Sequence, residues 1–359
     1  MAEVAQRTPL ATLQAAVTAA GLAVTVVSAA ALAWTGGTSG ISIHLWTAAA
    51  LSALSAISAV VTTRPAHRLS AALALAAVLF AVVTGFLAGP NAPWAPAFLL
   101  SASSGFAVSI LLLHMTDGNT ALLTALAAVT GVIATVGAIG LSTRLAFGTA
   151  GALLTVLSLA ALSAAPKLTV AALGLGPSRL EIGNRRAAVA HRVLTGLVAG
   201  WSCSATLGVM AIAAVTVAQS VPAVSIPAQS IPAQSVPVES IPTAIAAMFA
   251  ADVGLLLLLR QRTHIDVRRR VGLGVAGLCA LTAAHIVTVS AAPEQAFWLC
   301  AATFVAGVAA VACAARTTPP NPVVRQGLQV LEYLTLAAVV PLAAWVAGVY
   351  GMVRDLSLP

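Results

Sequence analysis

Along the chain, apolar runs of about 20 residues alternate with short polar connectors. A helix rising 1.5 Å per residue needs roughly that many apolar residues to cross a hydrocarbon core about 30 Å thick. Eleven runs qualify, at 12–34, 44–62, 70–88, 97–115, 120–140, 146–163, 193–218, 243–260, 271–290, 296–314 and 334–353. The pattern predicts an all-α polytopic transmembrane bundle. The fifth and sixth runs are separated only by the turn LSTRL around Arg144. The predicted organisation is a short cytoplasmic segment at 1–11, a transmembrane domain at 12–353 and an extracytoplasmic tail at 354–359. No connector is long enough to fold as a soluble domain.

Composition sharpens this picture. The chain is 60% hydrophobic and 7% charged, with a mean hydropathy of +1.02. A soluble domain carries about a quarter charged residues, so an ordinary soluble enzyme is excluded. The net charge of +8 is distributed by side: with the N-terminus in the cytoplasm, all of the 17 Lys and Arg residues except Arg144 and Arg354 fall in inner connectors. The positive-inside rule therefore predicts N-in, C-out and an odd number of spans. Nucleic acid is not an expected partner, because the cations occupy short connectors and form no basic stripe with interleaved aromatics. The outer turns GPNAPWAP and SAAPEQ lack cations, and Trp34, Trp46, Trp94 and Trp298 lie near outer ends as interfacial anchors. The first run is long for a signal-peptide core and reads as a retained helix.

Candidate chemistry gathers on the inner side. The connector 260–270 packs Arg260, Arg262, Arg268, Arg269 and Arg270 with His264 and Asp266, more cations than orientation requires. The connector 164–192 adds Lys167, Arg185 and Arg186. Together they are candidates for topogenic or partner-docking roles, with anionic lipid headgroups as the other target. Residues 321–333 read as an amphipathic inner segment capped by Asn321, with Pro322 at the first helical position, continuing into the last span. Glu332 and Tyr333 then sit near the headgroups and Pro341 kinks the helix midway. On the outer side, 219–242 carries a Pro/Ser pentapeptide repeat that precludes helix and sheet. It is either a slack linker or an extended docking strip.

Within the membrane, Asp252 and His285 are the ionisable residues of note. Asp252 lies eight residues before Arg260, about 12 Å along the helix. It is a candidate proton or ion site of a secondary transporter, or else a neutral link between helices. Gly196 and Gly200 form a GxxxG that permits close helix packing. Cys203, Cys279, Cys300 and Cys313 lack metal-ligand spacing and read as small packing residues. There is no Walker loop, H-E-x-x-H or G-x-S-x-G, so no catalytic residue, metal set or cofactor site is predicted. The residues alone lead to a multi-span scaffold, channel or transporter.

Four stretches carry a resemblance. The C-terminus PVVRQGLQVLEYLTLAAVVPLAAWVAGVYGMVRDLSLP (322–359), RQRTHIDVRRR (260–270), AHRVLTGLVAG (190–200) and APKLTVAALGL (165–175) resemble EccD, the multi-spanning membrane component of type VII (ESX) secretion systems. The first half of the chain matches mainly in its span pattern. The resemblance implies an eleven-span, non-enzymatic subunit of the bacterial plasma membrane that assembles as a dimer with EccB, EccC and EccE, encloses a membrane vestibule and contacts exported proteins transiently. Members of that family usually carry a ubiquitin-like cytoplasmic domain ahead of the first span; here about eleven residues precede it.

Overall fold

The computed structural model describes residues 21–33, 41–62, 67–89, 93–116, 119–172, 184–220, 241–264, 266–314 and 322–350. Across them the chain is helical, with no strand. The helices are α1 (Gly21–Ala33), α2 (Ile41–Val61), α3 (His67–Leu87), α4 (Trp94–Met115), α5 (Thr120–Thr143), α6 (Phe147–Ala172), α7 (Asn184–Ser220), α8 (Thr243–Arg260), α9 (Val267–Ala291), α10 (Ala296–Ala314) and α11 (Pro322–Val346). Each predicted run has its helix, and nine of the described helices are long and apolar enough to cross a membrane.

Two boundaries differ from the sequence pattern. Helix α6 continues beyond 163 through Pro166 to Ala172, and α7 already begins at Asn184, so much of the 164–192 connector is helical. Alanine and leucine either side of Pro166 keep helix propensity high across it. The division between the fifth and sixth spans is real: α5 ends at Thr143, and Arg144 adopts a left-handed conformation with φ of 52° that terminates the helix before α6 starts at Phe147. The repeat at 221–240, the segment 1–11, Asn321 and the tail 354–359 lie outside the described residues.

The chain divides into two compact units. Unit 1 comprises Met1–Arg144 and Leu162–Trp201; unit 2 comprises Leu145–Ala161 and Ser202–Pro359. In unit 1, α2 packs on α3, α3 on α4 and α4 on α5. One buried cluster joins Ala59, Ala74, Ala77, Val78, Leu112 and Leu123; another joins Ala29, Ala48, Phe80, Val83 and Leu87. Lipid supplies no hydrophobic driving force between helices, so close van der Waals fit and interhelical hydrogen bonds must do so. Ser52 Oγ donates to Ala77 O at 2.9 Å and Ser104 Oγ to Ala81 O at 2.7 Å. Asn119 Nδ2 donates to Ser70 Oγ at 3.1 Å, and Ser70 Oγ donates to Ala59 O at 2.8 Å, a relay through three elements. Gly196 and Gly200 of α7 lie against α5, where a Cβ at Gly200 would meet Ala125 O at 2.5 Å and Ala128 Cβ at 2.8 Å. The GxxxG is a contact site.

In unit 2, α8 packs on α9 and on α11. Phe249, Val253, Leu256 and Leu257 of α8 and Leu273, Ala280 and Val287 of α9 are essentially fully buried. Gly254 and Gly277 face one another across the α8–α9 crossing. Thr206 Oγ1 donates to Ala276 O at 3.2 Å, and the Ser158 and Ser204 hydroxyls lie 2.8 Å apart. Pro341 falls inside α11.

Candidate functional site

The predicted cationic connector folds as a tight, partly self-satisfied turn. Helix α8 ends at Arg260 and continues as a single 3-10 turn, Gln261–Thr263, before α9 starts at Val267. Asp266 caps α9: its side chain accepts from the Arg268 backbone N–H at 3.1 Å, satisfying an otherwise orphaned donor. The same carboxylate lies 3.6 Å from Arg269 Nε. Arg270 Nε donates to His264 O, tying the start of α9 back onto the turn. His264 Nε2 is buried with no hydrogen-bond partner among the described residues. Burial, then the charges of Arg269 and Arg260, push the His264 imidazole below its ordinary value; Asp266 opposes them.

Beside this turn lies the amphipathic start of α11. It begins at Pro322, as the sequence predicts, and runs unbroken past Glu332 and Tyr333 into the apolar span. Arg325, Leu328, Gln329, Glu332 and Tyr333 recur at helical spacing on one face. With Leu259, Arg262 and Thr263 they line an open cleft of about 380 Å³. Arg262 and Arg325 are exposed, and neither has an ion-pair partner among the described residues. The sequence marks Arg262 as a topogenic or partner-docking candidate and Arg325 only as a marker of sidedness, and it does not bring the two together. Their convergence depends on α8 meeting α11, a contact between elements more than sixty residues apart that no local pattern encodes.

The other predicted residues are not brought to this cleft. Lys167 lies in the last two turns of α6, and Arg185 and Arg186 fall in the first turn of α7. In the middle of α8, Asp252 has its Oδ2 buried with no hydrogen-bond partner among the described residues. His285 of α9 instead meets Cys300 of α10, with Nε2 and Sγ 3.7 Å apart. No group of three or more metal-ligating side chains occurs among the described residues.

Comparisons with known proteins bear on this arrangement. Residues 181–356 match the EccD-like transmembrane domain, a span that includes the cationic turn and all of α11. The chain is 30% identical over 304 residues to the ESX-4 secretion system protein eccD4 of Mycobacterium tuberculosis, in strains CDC 1551 / Oshkosh and ATCC 25618 / H37Rv. That alignment covers 80% of this chain and 60% of the relative, so the chain spans about three-fifths of the length of the curated relatives it matches. Among solved structures, protomer 1 of the ESX-3 core complex shares the fold, with a TM-score of 0.71 at 17% identity, covering 95% of this chain and 76% of that one. The MycP5-free ESX-5 inner membrane complex in State II gives a TM-score of 0.62 at 16% identity, over 83% of this chain and 70% of that one.

Proposed function

The chain belongs to the EccD family, and from that premise we propose that it is a non-enzymatic, multi-pass inner-membrane subunit of a type VII secretion complex. It works as scaffold and channel wall: its helices bound a membrane vestibule and its cationic inner margin holds other subunits in register for protein export. The observation that carries this reading is that residues 181–356, which include the margin built by α8, α9 and α11, match the EccD-like transmembrane domain, while the likeness to the ESX-4 protein extends over 304 residues.

The arrangement of charge supports the orientation. With the N-terminus in the cytoplasm, the turn between α8 and α9 and the start of α11 face the cytoplasm, where cations favour retention. The partners on that side are the EccB, EccC and EccE components to which family resemblance points, together with a second copy of this chain. Arg268 and Arg270 are exposed at the first turns of α9, where guanidinium forks can grip carboxylates of a neighbour bidentately, while Arg269 pairs with Asp266 inside the turn. The test is native electrophoresis of the membrane complex from cells carrying Arg268→Gln, Arg269→Gln and Arg270→Gln together. Arg260 and Arg262 remain to hold orientation, so the variant inserts, while the full complex falls to a small fraction of its normal amount. Normal insertion with a wild-type yield of complex would show the arginines to be topogenic only.

A second reading, a secondary transporter, rests on one observation: one carboxylate oxygen of the partly exposed Asp252 in α8, Oδ2, is buried with no hydrogen-bond partner among the described residues. Such a group is costly in a membrane and marks ion sites elsewhere.

A further inference from the structure

The cleft between the α8–α9 turn and α11 is a built pocket whose chemistry is not used by docking through α9. We propose that it binds the phosphodiester of an anionic phospholipid headgroup, held between Arg262 and Arg325. This goes beyond the role in secretion and stands on residues other than Arg268, Arg269 and Arg270.

Charge is the first argument. Two guanidiniums and one carboxylate, Glu332, line the cleft. Glu332 also acts electrostatically on Arg260, the residue that closes α8, so its charge is shared with a third arginine outside the cleft. The balance at the cleft is cationic, and Arg262 and Arg325 remain unpaired among the described residues. Each presents a planar fork that matches phosphate oxygens bidentately. The Gln329 amide and Tyr333 hydroxyl add neutral donors beside them.

Depth is the second argument. The uncharged stretch that follows Asp252 in α8 ends at Arg260, and that of α11 begins just after Glu332 and Tyr333. Arg262 and Glu332 therefore mark the level where hydrocarbon gives way to headgroups. From Tyr333 back to Arg325 the cleft follows α11 for about 12 Å, at 1.5 Å per residue, through the headgroup layer. Leu259, on the membrane side, and Leu328, midway along α11, give the cleft an apolar wall, and Tyr333 and Leu334 are exposed where α11 enters the span. A free anion needs no such wall. An acyl-linked phosphate does, because its glycerol backbone must leave the site toward hydrocarbon. The volume of about 380 Å³ falls within the roughly 300–1,000 Å³ of small-ligand pockets. Basic pockets between spans are a recurrent answer to anionic headgroups.

The experiment uses the full chain in mild detergent micelles with phosphatidylglycerol as probe, phosphatidylcholine as control, and native mass spectrometry to count bound lipid. The wild type retains one phosphatidylglycerol more than Arg262→Gln/Arg325→Gln, whose apparent Kd rises at least about tenfold, a loss of 1.4 kcal/mol. Arg144→Gln, remote from the cleft in sequence, leaves retention unchanged. Unfolding in phosphatidylcholine micelles checks that the double variant is folded. Should it not fold, the single Arg325→Gln at an exposed position of α11 reads the same site, with retention expected to fall. Inorganic phosphate in large excess leaves phosphatidylglycerol bound; displacement by it would assign the cleft to a free anion and overturn the proposal. Equal phosphatidylglycerol retention by wild type and folded variant also overturns it, and loss of the native complex alongside that result would assign the cleft to a protein partner.

Discussion

The hairpins α2–α5 of unit 1 and the α8–α9–α11 margin of unit 2 solve opposite problems with the same small alphabet. In the first, nearly every polar group is spent inside the protein: Ser52, Ser70, Ser104 and Asn119 all bond across helices, and glycines let backbones touch. In the second, some polar groups close the turn, as Asp266 and Arg270 do, while Arg262 and Arg325 are left over. The difference separates residues that hold the fold from residues that face outward to something else. Substitution should damage stability in the first region and association in the second.

The most severe break is Gly200→Leu. The side chain has no space between α7 and α5, where a carbonyl oxygen and Ala128 already occupy the position of its Cβ. Overpacking against backbone costs about 3 kcal/mol, so unfolding in mixed SDS micelles shifts to much lower denaturant; an unchanged transition would deny that unit 1 depends on this contact. Next is Asp252, which sits in unit 2 but has neither region's excuse for polarity. Asp252→Asn replaces a carboxyl group, one of whose oxygens is buried and unpartnered among the described residues, by a neutral amide, so unfolding stability is expected to rise by about 1 kcal/mol with assembly unchanged. Loss of secretion with intact assembly would move the weight to the transport reading. The smallest effect belongs to His264. Its folded-state value is depressed, so the unfolded chain takes up the proton first. Stability is therefore full above the ordinary imidazole value of about 6.5 and declines as pH falls below it. Thermal unfolding between about pH 7.5 and 5.5 should show this decline in the wild type and a flatter profile in His264→Gln.

Much of the fold was legible because the bilayer imposes a length on every apolar run. The eleven runs became eleven helices, and the thin LSTRL divider proved to be a left-handed cap at Arg144. The end of the sixth run at 163 was not the end of its helix, since alanine-rich neighbours carry α6 through Pro166 to Ala172. The start of α11 at Pro322 was legible from capping rules, but the cleft was not. Arg262 and Arg325 look like any other inner cations until α8 and α11 are known to meet. The hydroxyl bonds were equally invisible. Ser70 is one serine among many, and only the neighbouring helices decide that it bridges Asn119 and Ala59.

The division of α6 and α7 between the two units has a consequence for biogenesis. Residues Leu145–Ala161 belong with chain that follows Ser202, yet unit 1 is incomplete until Leu162–Trp201 has been made. The ribosome therefore delivers the first piece of the second unit before the last piece of the first. Ser158, which ends up beside Ser204, is synthesised 46 residues earlier. At about 5–20 residues per second it waits roughly 2–9 s in the translocon or bilayer with its eventual partner unmade. Neither unit can be inserted as a finished module, and a ribosome stalled between Ala161 and Ser202 would leave both unfinished, a natural substrate for membrane quality-control proteases.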